Sequence, residues 1–422
     1  MKRTLENKYY RSILIGVFVI LMACTSRVKN SNQMKKNINF YPKGTYGYDS
    51  AFLAKEKVET IELKDEGSDS RVLIAPGFQG RVMTSSSGGV EGASYGWVNY
   101  KLIGSGERNS QFNPFGGEER LWLGPEGGSF SIYFAKGKEQ VFANWRVPKE
   151  IDTETFDVIE KKLKKVSFRK EFSLTNASGT ILNIGINRTV KILSKDEIEQ
   201  ALQLPLDRSL NYVAFESENK LTNKGTNDWT EKSGVLSIWL LCMFNPSEQG
   251  VVFIPFKRGS DAELGKIVTD DYFGKVPSDR LKVTEDILFF KTDGKYRSKI
   301  GISPQRALSY CGSYDAKNQV LTLLWYSNPT IPSKYVNSKW GNQVDPLSGD
   351  VLNSYNDGPV EDGSVMGPFY EIESSSPAAA ISAGESMTHT QRIFHITGDE
   401  DKLSLITEQL FHVSIDEIKH VF

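Results

Sequence analysis

The chain has 422 residues, in which 51 lysines and arginines balance 52 aspartates and glutamates for a net charge of −1. That balance excludes a basic field for nucleic acid and an acidic one for cations. Thirty-six glycines, 17 tyrosines, 23 phenylalanines and 7 tryptophans suit an all-β protein with many turns and an aromatic-lined surface.

In chain order, MKRTLENKYYRS is a polar opening of net positive charge, and the apolar run ILIGVFVILMA behind it, about a dozen residues, is too short to span a bilayer comfortably. It ends in Leu21-Met22-Ala23-Cys24. Apolar run, small residue and cysteine in that order resemble the lipobox of bacterial lipoproteins. The resemblance implies a signal peptide over 1–23, lipidation of Cys24, and membrane attachment through that lipid alone. An ordinary secretory signal or an uncleaved anchor is the alternative. Residues 24–40 read as a polar tether, and 41–422 as a single domain long enough for a large core. No aspartate directly follows Cys24. By resemblance to Gram-negative lipoproteins this implies the outer membrane, facing the periplasm.

Val58–Leu63 and Arg71–Ala75 read as the first strands, Pro76–Gly80 breaks the ladder, and Arg81–Thr84 resumes it. A short strand over Gly96–Tyr100 leads to the stretch Phe112–Phe134. There, Gly-Gly pairs at 116–117 and 127–128 bracket Glu118, Glu119, Arg120 and Glu126, with prolines at 114 and 125. This predicts a rigid loop that carries carboxylates, a guanidinium and an exposed Trp122 to the mouth of a sheet. The following SFSIYF predicts a strand with Phe130, Ile132 and Phe134 on one face. Further strands are predicted over 156–159, 166–174, 181–193, 212–218, 234–244, 250–256, 287–291, 307–314, 319–326, 367–374 and 387–397, and a helix over 195–204.

Thr397…Glu400 and Ser414…Glu417 have capping-box spacing and predict helices over about 399–410 and 415–421. No fixed-period repeat is present, which argues against a propeller or solenoid. The expectation is one large antiparallel β domain of two stacked curved sheets with a short C-terminal helical tail. Cys242 sits in an apolar run and reads as a buried thiol; a disulfide to Cys311 is left open. The cysteines and the four histidines, all beyond residue 388, have no zinc spacing.

The strings GFQGRVMTS (77–85), NPFGGEERLWLGPEGG (113–128), SYNDGP (354–359), FYEIESSSPAAA (369–380) and HTQRIFH (389–395) resemble a family of envelope lipoproteins related to the galactose mutarotase (aldose 1-epimerase)-like superfamily. The resemblance covers about 45–420 and implies a β-supersandwich that binds sugars on the concave face of one sheet. It also implies a late glutamate base, best matched by Glu371, with Glu373 two residues on. True epimerases add a histidine acid near mid-chain. Here no histidine precedes His389, so that acid is absent from its usual place.

Chemistry on a sugar needs an acid and a base on opposite sides of the anomeric centre. Glu371 and Glu373 supply one carboxylate, Glu118 or Glu119 the other, and Arg120 or Arg81 keeps its partner ionised. Trp122, Trp97 and Tyr355 offer rings to stack on a pyranose, and Asn113, Asn356, Asp357 and Arg392 offer polar groups for hydroxyls. His389 and His395, six apart on one strand face, are candidates for the missing acid. Against these stand an internal salt bridge at Glu118–Arg120, aromatics as core, with Trp239 and Trp325 read that way, and Asn356-Asp357-Gly358 as a plain turn. No cofactor is expected; Ca²⁺ on the 118–126 carboxylates with Asp357 matches no loop motif. Three readings follow: an epimerase-like, hydrolase or lyase enzyme, a non-catalytic glycan-binding lipoprotein, or a structural envelope protein.

Overall fold

The computed structural model describes residues 38–328, 333–360 and 362–422. The expected signal peptide, Cys24 and most of the expected tether lie outside the described residues. Strands are numbered along the chain. A three-stranded antiparallel sheet, β1 (Ile61–Lys64), β2 (Arg71–Ala75) and β3 (Arg81–Ser86), opens the domain. Helix Tyr46–Lys55 packs against it through Tyr46, Phe52 and Leu53, together with Leu73, Ala75 and Met83.

The five-stranded sheet carries the site and has the order β13 (Ser298–Ile302), β16 (Leu352–Asn356), β17 (Tyr370–Ser375), β9 (Ser237–Phe244), β4 (Arg120–Gly124). The ten-stranded sheet behind it has the order β11 (Leu281–Val283), β12 (Ile287–Lys291), β10 (Gly250–Pro255), β14 (Tyr310–Asp315), β15 (Val320–Tyr326), β18 (Ser386–Thr397), β8 (Asn211–Asn223), β7 (Ile181–Ile192), β6 (Lys165–Thr175), β5 (Asp157–Lys161). Every named strand pairing is antiparallel, as the fold expectation has it.

Period-two alternation assigns the faces. Leu121, Leu123, Leu240, Cys242, Ile300, Leu352 and Ile372 of the smaller sheet meet Ile184, Ile186, Val213, Phe215, Leu324 and Ile393 of the larger in one buried layer. The outer face of the larger sheet carries Phe253, Leu321, Leu323, Phe394 and Ile396. Over it lie helix Lys195–Leu202 and the C-terminal helices Glu400–Phe411 and Ile415–Lys419. Leu403, Ile406, Phe411, Ile415 and Ile418 of that tail are buried, each contributing about 1.5–3 kcal/mol. Ser414 forms the capping box its spacing predicts. The longer helix is instead capped by Asp399, whose side chain accepts from the Asp401 N–H, and not by Thr397.

Local expectations fail where burial overrides periodicity. Arg120–Gly124 is a strand and not a loop, and Trp122 is 3% exposed. Ile132, Tyr133 and Phe134 are all buried in a turn, so SFSIYF forms no strand. Gly96 and Val98 make only isolated bridges, to Phe244 and Gly116. Cys242 and Cys311 are buried and unpaired.

Candidate functional site

The outer face of the five-stranded sheet is built in rows by strand register. One row sets Lys299, Tyr355, Glu371 and Met243 side by side; the next sets Gly301, Asn353, Glu373, Leu241 and Arg120. A third places Ser375, Trp239 and Trp122 together. Two ion pairs cross these rows diagonally. Arg120 Nη2 donates to Glu371 Oε1 at 2.9 Å. Lys299 Nζ donates to both oxygens of Glu373, at 2.9 and 2.8 Å, and Trp239 Nε1 donates to Glu373 Oε2 at 2.9 Å.

Each cation also lies on a ring. The Arg120 guanidinium is 4.1 Å from the Trp122 centroid, and Lys299 Nζ is 5.1 Å from that of Trp239; both distances are within cation–π range. Nε and Nη1 of Arg120 and Nε1 of Trp122 have no hydrogen-bond partner among the described residues.

Loops cover this face and leave a cleft of about 190 Å³, lined by Trp239, Tyr272, Lys299, Lys339, Asp350 and Asn353 among others. Asn353 Nδ2 donates to the Tyr272 hydroxyl at 3.2 Å, and that hydroxyl donates to Asp350. Gly301 makes room for this wall, since a Cβ there would stand 2.0 Å from Asp350 Oδ2. Glu126, half-buried, completes the surroundings, and its N–H donates to Ser338 Oγ.

Two carboxyls here, those of Glu371 and Glu126, are poised near neutrality. Burial pushes Glu371 up to about 7, against the pull of Arg120 and with the push of Glu373. Burial likewise raises Glu126 to about 7, with Lys299 opposing and Glu373 assisting. Asp350 is raised by burial while its bond from Tyr272 lowers it. Groups that exchange a proton near pH 7 beside a cleft have the character of an acid–base site.

Of the residues singled out in the sequence, Arg120, Trp122, Tyr355, Glu371 and Glu373 meet on this face. Asp357 joins them through the Tyr355 hydroxyl at 2.7 Å. The others lie elsewhere. Glu118 and Glu119 point into the sandwich interior. There Glu118 Oε1 lies 2.9 Å from His395 Nε2, and Glu119 accepts from Arg188 Nη2 at 2.7 Å and Gln391 Nε2 at 2.6 Å. They stand on the opposite side of the sheet from Glu371, so the expected pairing of carboxylates across one cleft does not form between them.

His389 is also interior, between Ser374 Oγ at 2.8 Å and Ser327 Oγ at 3.0 Å, and burial lowers it to about 3. Arg81 is spent on Gly116 O and Gln79 Oε1, and Asn113 on Asp152 and Asn109. Asn356 ties a turn through Gly294 N and Tyr296 O. Arg392 is on the far face of the larger sheet, paired with Glu216 at 2.6 Å.

Sequence reasoning missed Lys299, Tyr272, Asp350 and Asn353, and took Trp239 for core alone. Among the described residues no group of three or more His, Cys, Asp or Glu side chains is arranged to hold a metal ion.

Residues 44–422 match the family described as "Family of unknown function (DUF6786)", and the chain belongs to it. No curated protein matches the sequence. Solved structures with a similar arrangement include galactose mutarotase-like proteins. The Slr1438 protein from Synechocystis sp. PCC 6803 has a TM-score of 0.48 at 11% identity, over 81% of this chain and 96% of its own. A galactose mutarotase-like protein from Lactobacillus casei ATCC 334 has 0.43 at 10%, over 80% and 100%. A galactose mutarotase related enzyme from Lactobacillus acidophilus has 0.43 at 9%, over 80% and 97%.

Proposed function

We propose that this protein is a carbohydrate-binding envelope lipoprotein with epimerase-like acid–base groups, and that the sugar sits in the cleft over Trp239. The observation that carries the reading is the pair of crossed ion pairs, Arg120–Glu371 and Lys299–Glu373, on an aromatic-lined sheet face beside that cleft. Exchange of anomers removes a proton from the hydroxyl at the anomeric carbon and delivers one to the ring oxygen. Glu371 and Glu126 hold protons that come and go near pH 7, and Tyr272, Asn353 and Asp350 are placed to bind hydroxyls. The lipid at Cys24 and the periplasmic side of the outer membrane belong to the same reading, supported by the apolar run ahead of that cysteine.

A second reading, binding without turnover, is favoured by one feature. Both strand carboxylates are already held by cations, which suits a rigid recognition surface. A glycan array followed by NMR exchange spectroscopy of anomeric protons on each hit separates the two. Accelerated exchange that disappears in Glu371→Gln supports the epimerase-like reading; binding with exchange no faster than in buffer selects the second. No binding to any glycan removes both.

A further inference from the structure

At about 190 Å³ the cleft is smaller than the roughly 300–1,000 Å³ of pockets for drug-sized ligands, so it suits one sugar ring and not a chain. Its lining includes Lys339, and the next residue, Trp340, begins an aromatic shelf. Trp340 stacks on Trp145 with ring centroids 6.2 Å apart and planes 27° apart. Trp145 stacks in turn on Phe142 at 6.0 Å and 19°. Trp340 is half-buried and Phe142 is 66% exposed.

The shelf is fixed to the scaffold. Gln140 Oε1 accepts from the N–H groups of both Gly128 and Gly341, and its Nε2 donates to Gly128 O. One side chain thereby ties the loop that bears Phe142 to the loop that bears Trp340. An exposed ring held this firmly beside a polar cleft is a surface kept for a ligand. The same rings continue inward, from Trp145 to Trp122 and from Trp122 to Trp239 at 5.7 Å, so shelf and cleft share one aromatic wall.

We infer that Trp340 and Phe142, backed by the buried Trp145, form a second sugar subsite at the mouth of the cleft, and that the ligand is a glycan of two or more residues held by its end. This rests on the carbohydrate reading above. A pyranose presents a face of C–H groups and a rim of hydroxyls. The cleft supplies carboxyl, amide and hydroxyl partners for a rim, whereas the shelf supplies ring faces. An end residue in the cleft leaves its neighbour at the mouth, where ring faces are what the protein offers.

The test is calorimetric titration with three series: glucose, cellobiose and cellotriose; glucose, maltose and maltotriose; and N-acetylglucosamine with its β-1,4-linked dimer and trimer. The expected result is at least tenfold tighter binding of a dimer or trimer than of its monomer in one series. Phe142→Ala should erase most of that gain without changing monomer affinity, and its ring is exposed enough that the variant folds. Trp340→Ala should erase the gain as well, with folding checked by circular dichroism; because its ring also bonds Glu126, monomer affinity is compared in Phe142→Ala alone. Equal affinity along every series that binds, or a gain that survives both variants, overturns the second subsite and leaves the cleft reading intact. No binding of any sugar, monomers included, overturns the carbohydrate reading itself.

Discussion

Arg120 and Glu371 are 251 residues apart in the chain and 2.9 Å apart in the fold. The pair is buried, with side chains 5% and 7% exposed. Burial outweighs the arginine, because the Glu371 carboxyl is raised from 4.5 to about 7. A raised carboxyl holds its proton more tightly folded than unfolded, so its contribution to stability is complete below pH 4.5 and is lost as pH rises through 7. Glu371→Gln should therefore match the wild type near pH 4 and lack this loss above it. By pH 8 it should be the more stable of the two by on the order of a few kcal/mol. Urea midpoints measured from pH 4 to 8 check this; parallel curves for the two proteins would refute it.

The second crossed pair behaves differently, because Glu373 is 1% exposed and accepts three hydrogen bonds from two donor groups. Lys299→Met leaves the carboxylate with Trp239 as its remaining donor, which should cost about 3–5 kcal/mol. Adding Glu373→Gln to Lys299→Met removes the stranded charge and should recover about 1–3 kcal/mol. Urea denaturation of the two single variants and the double variant gives the coupling. Additive losses would show that the pair contributes nothing as a pair.

The sequence made one half of this site legible. Glu371 and Glu373 alternate on a predicted strand and so had to share a face; Arg120 and Trp122 do the same on β4, which the sequence reading took for a loop. Missing was the parity of the Gly-rich approach. Gly116 and Gly117 both take positive φ, and the irregular backbone there turns Glu118 and Glu119 inward while Arg120 turns outward. Trp239 was hidden for another reason. All eight residues of β9 are buried, so the apolar run shows no alternation to say which of them look toward the cleft. Lys299, Tyr272, Asp350 and Asn353 carry no local motif; only the stacking of distant loops on the sheet gathers them.

Gly127 marks where one of those loops approaches most closely. A Cβ at Gly127 would lie 2.3 Å from Lys339 O and 2.7 Å from the Trp340 Cα, and neither backbone atom can yield without moving the cleft wall. Gly127→Ala should destabilise the protein by about 1–3 kcal/mol. It should also weaken sugar binding, since Lys339 lines the cleft. Thermal melts and the titrations above measure both effects; unchanged affinity would mean that the wall adjusts freely.

His389 sets the acid limb of stability. It is fully buried between two serine hydroxyls, and burial alone lowers it from 6.5 to about 3. A depressed histidine gains a proton on unfolding, so its contribution is complete above pH 6.5 and is lost as pH falls toward 3. His389→Gln keeps polar atoms to meet Ser374 and Ser327 but cannot titrate, and should flatten the decline between pH 6.5 and 3. This slope runs opposite to that of Glu371. Between pH 4.5 and 6.5 the two oppose each other, and removing either should expose the other. The Glu371→Gln protein should then lose stability toward acid across that interval, and the His389→Gln protein should lose it toward neutrality. In the wild type, the His389 ring protons should show no NMR titration above pH 4. A midpoint near 6 would mean that the ring reaches water, and the predicted acid slope would vanish with it.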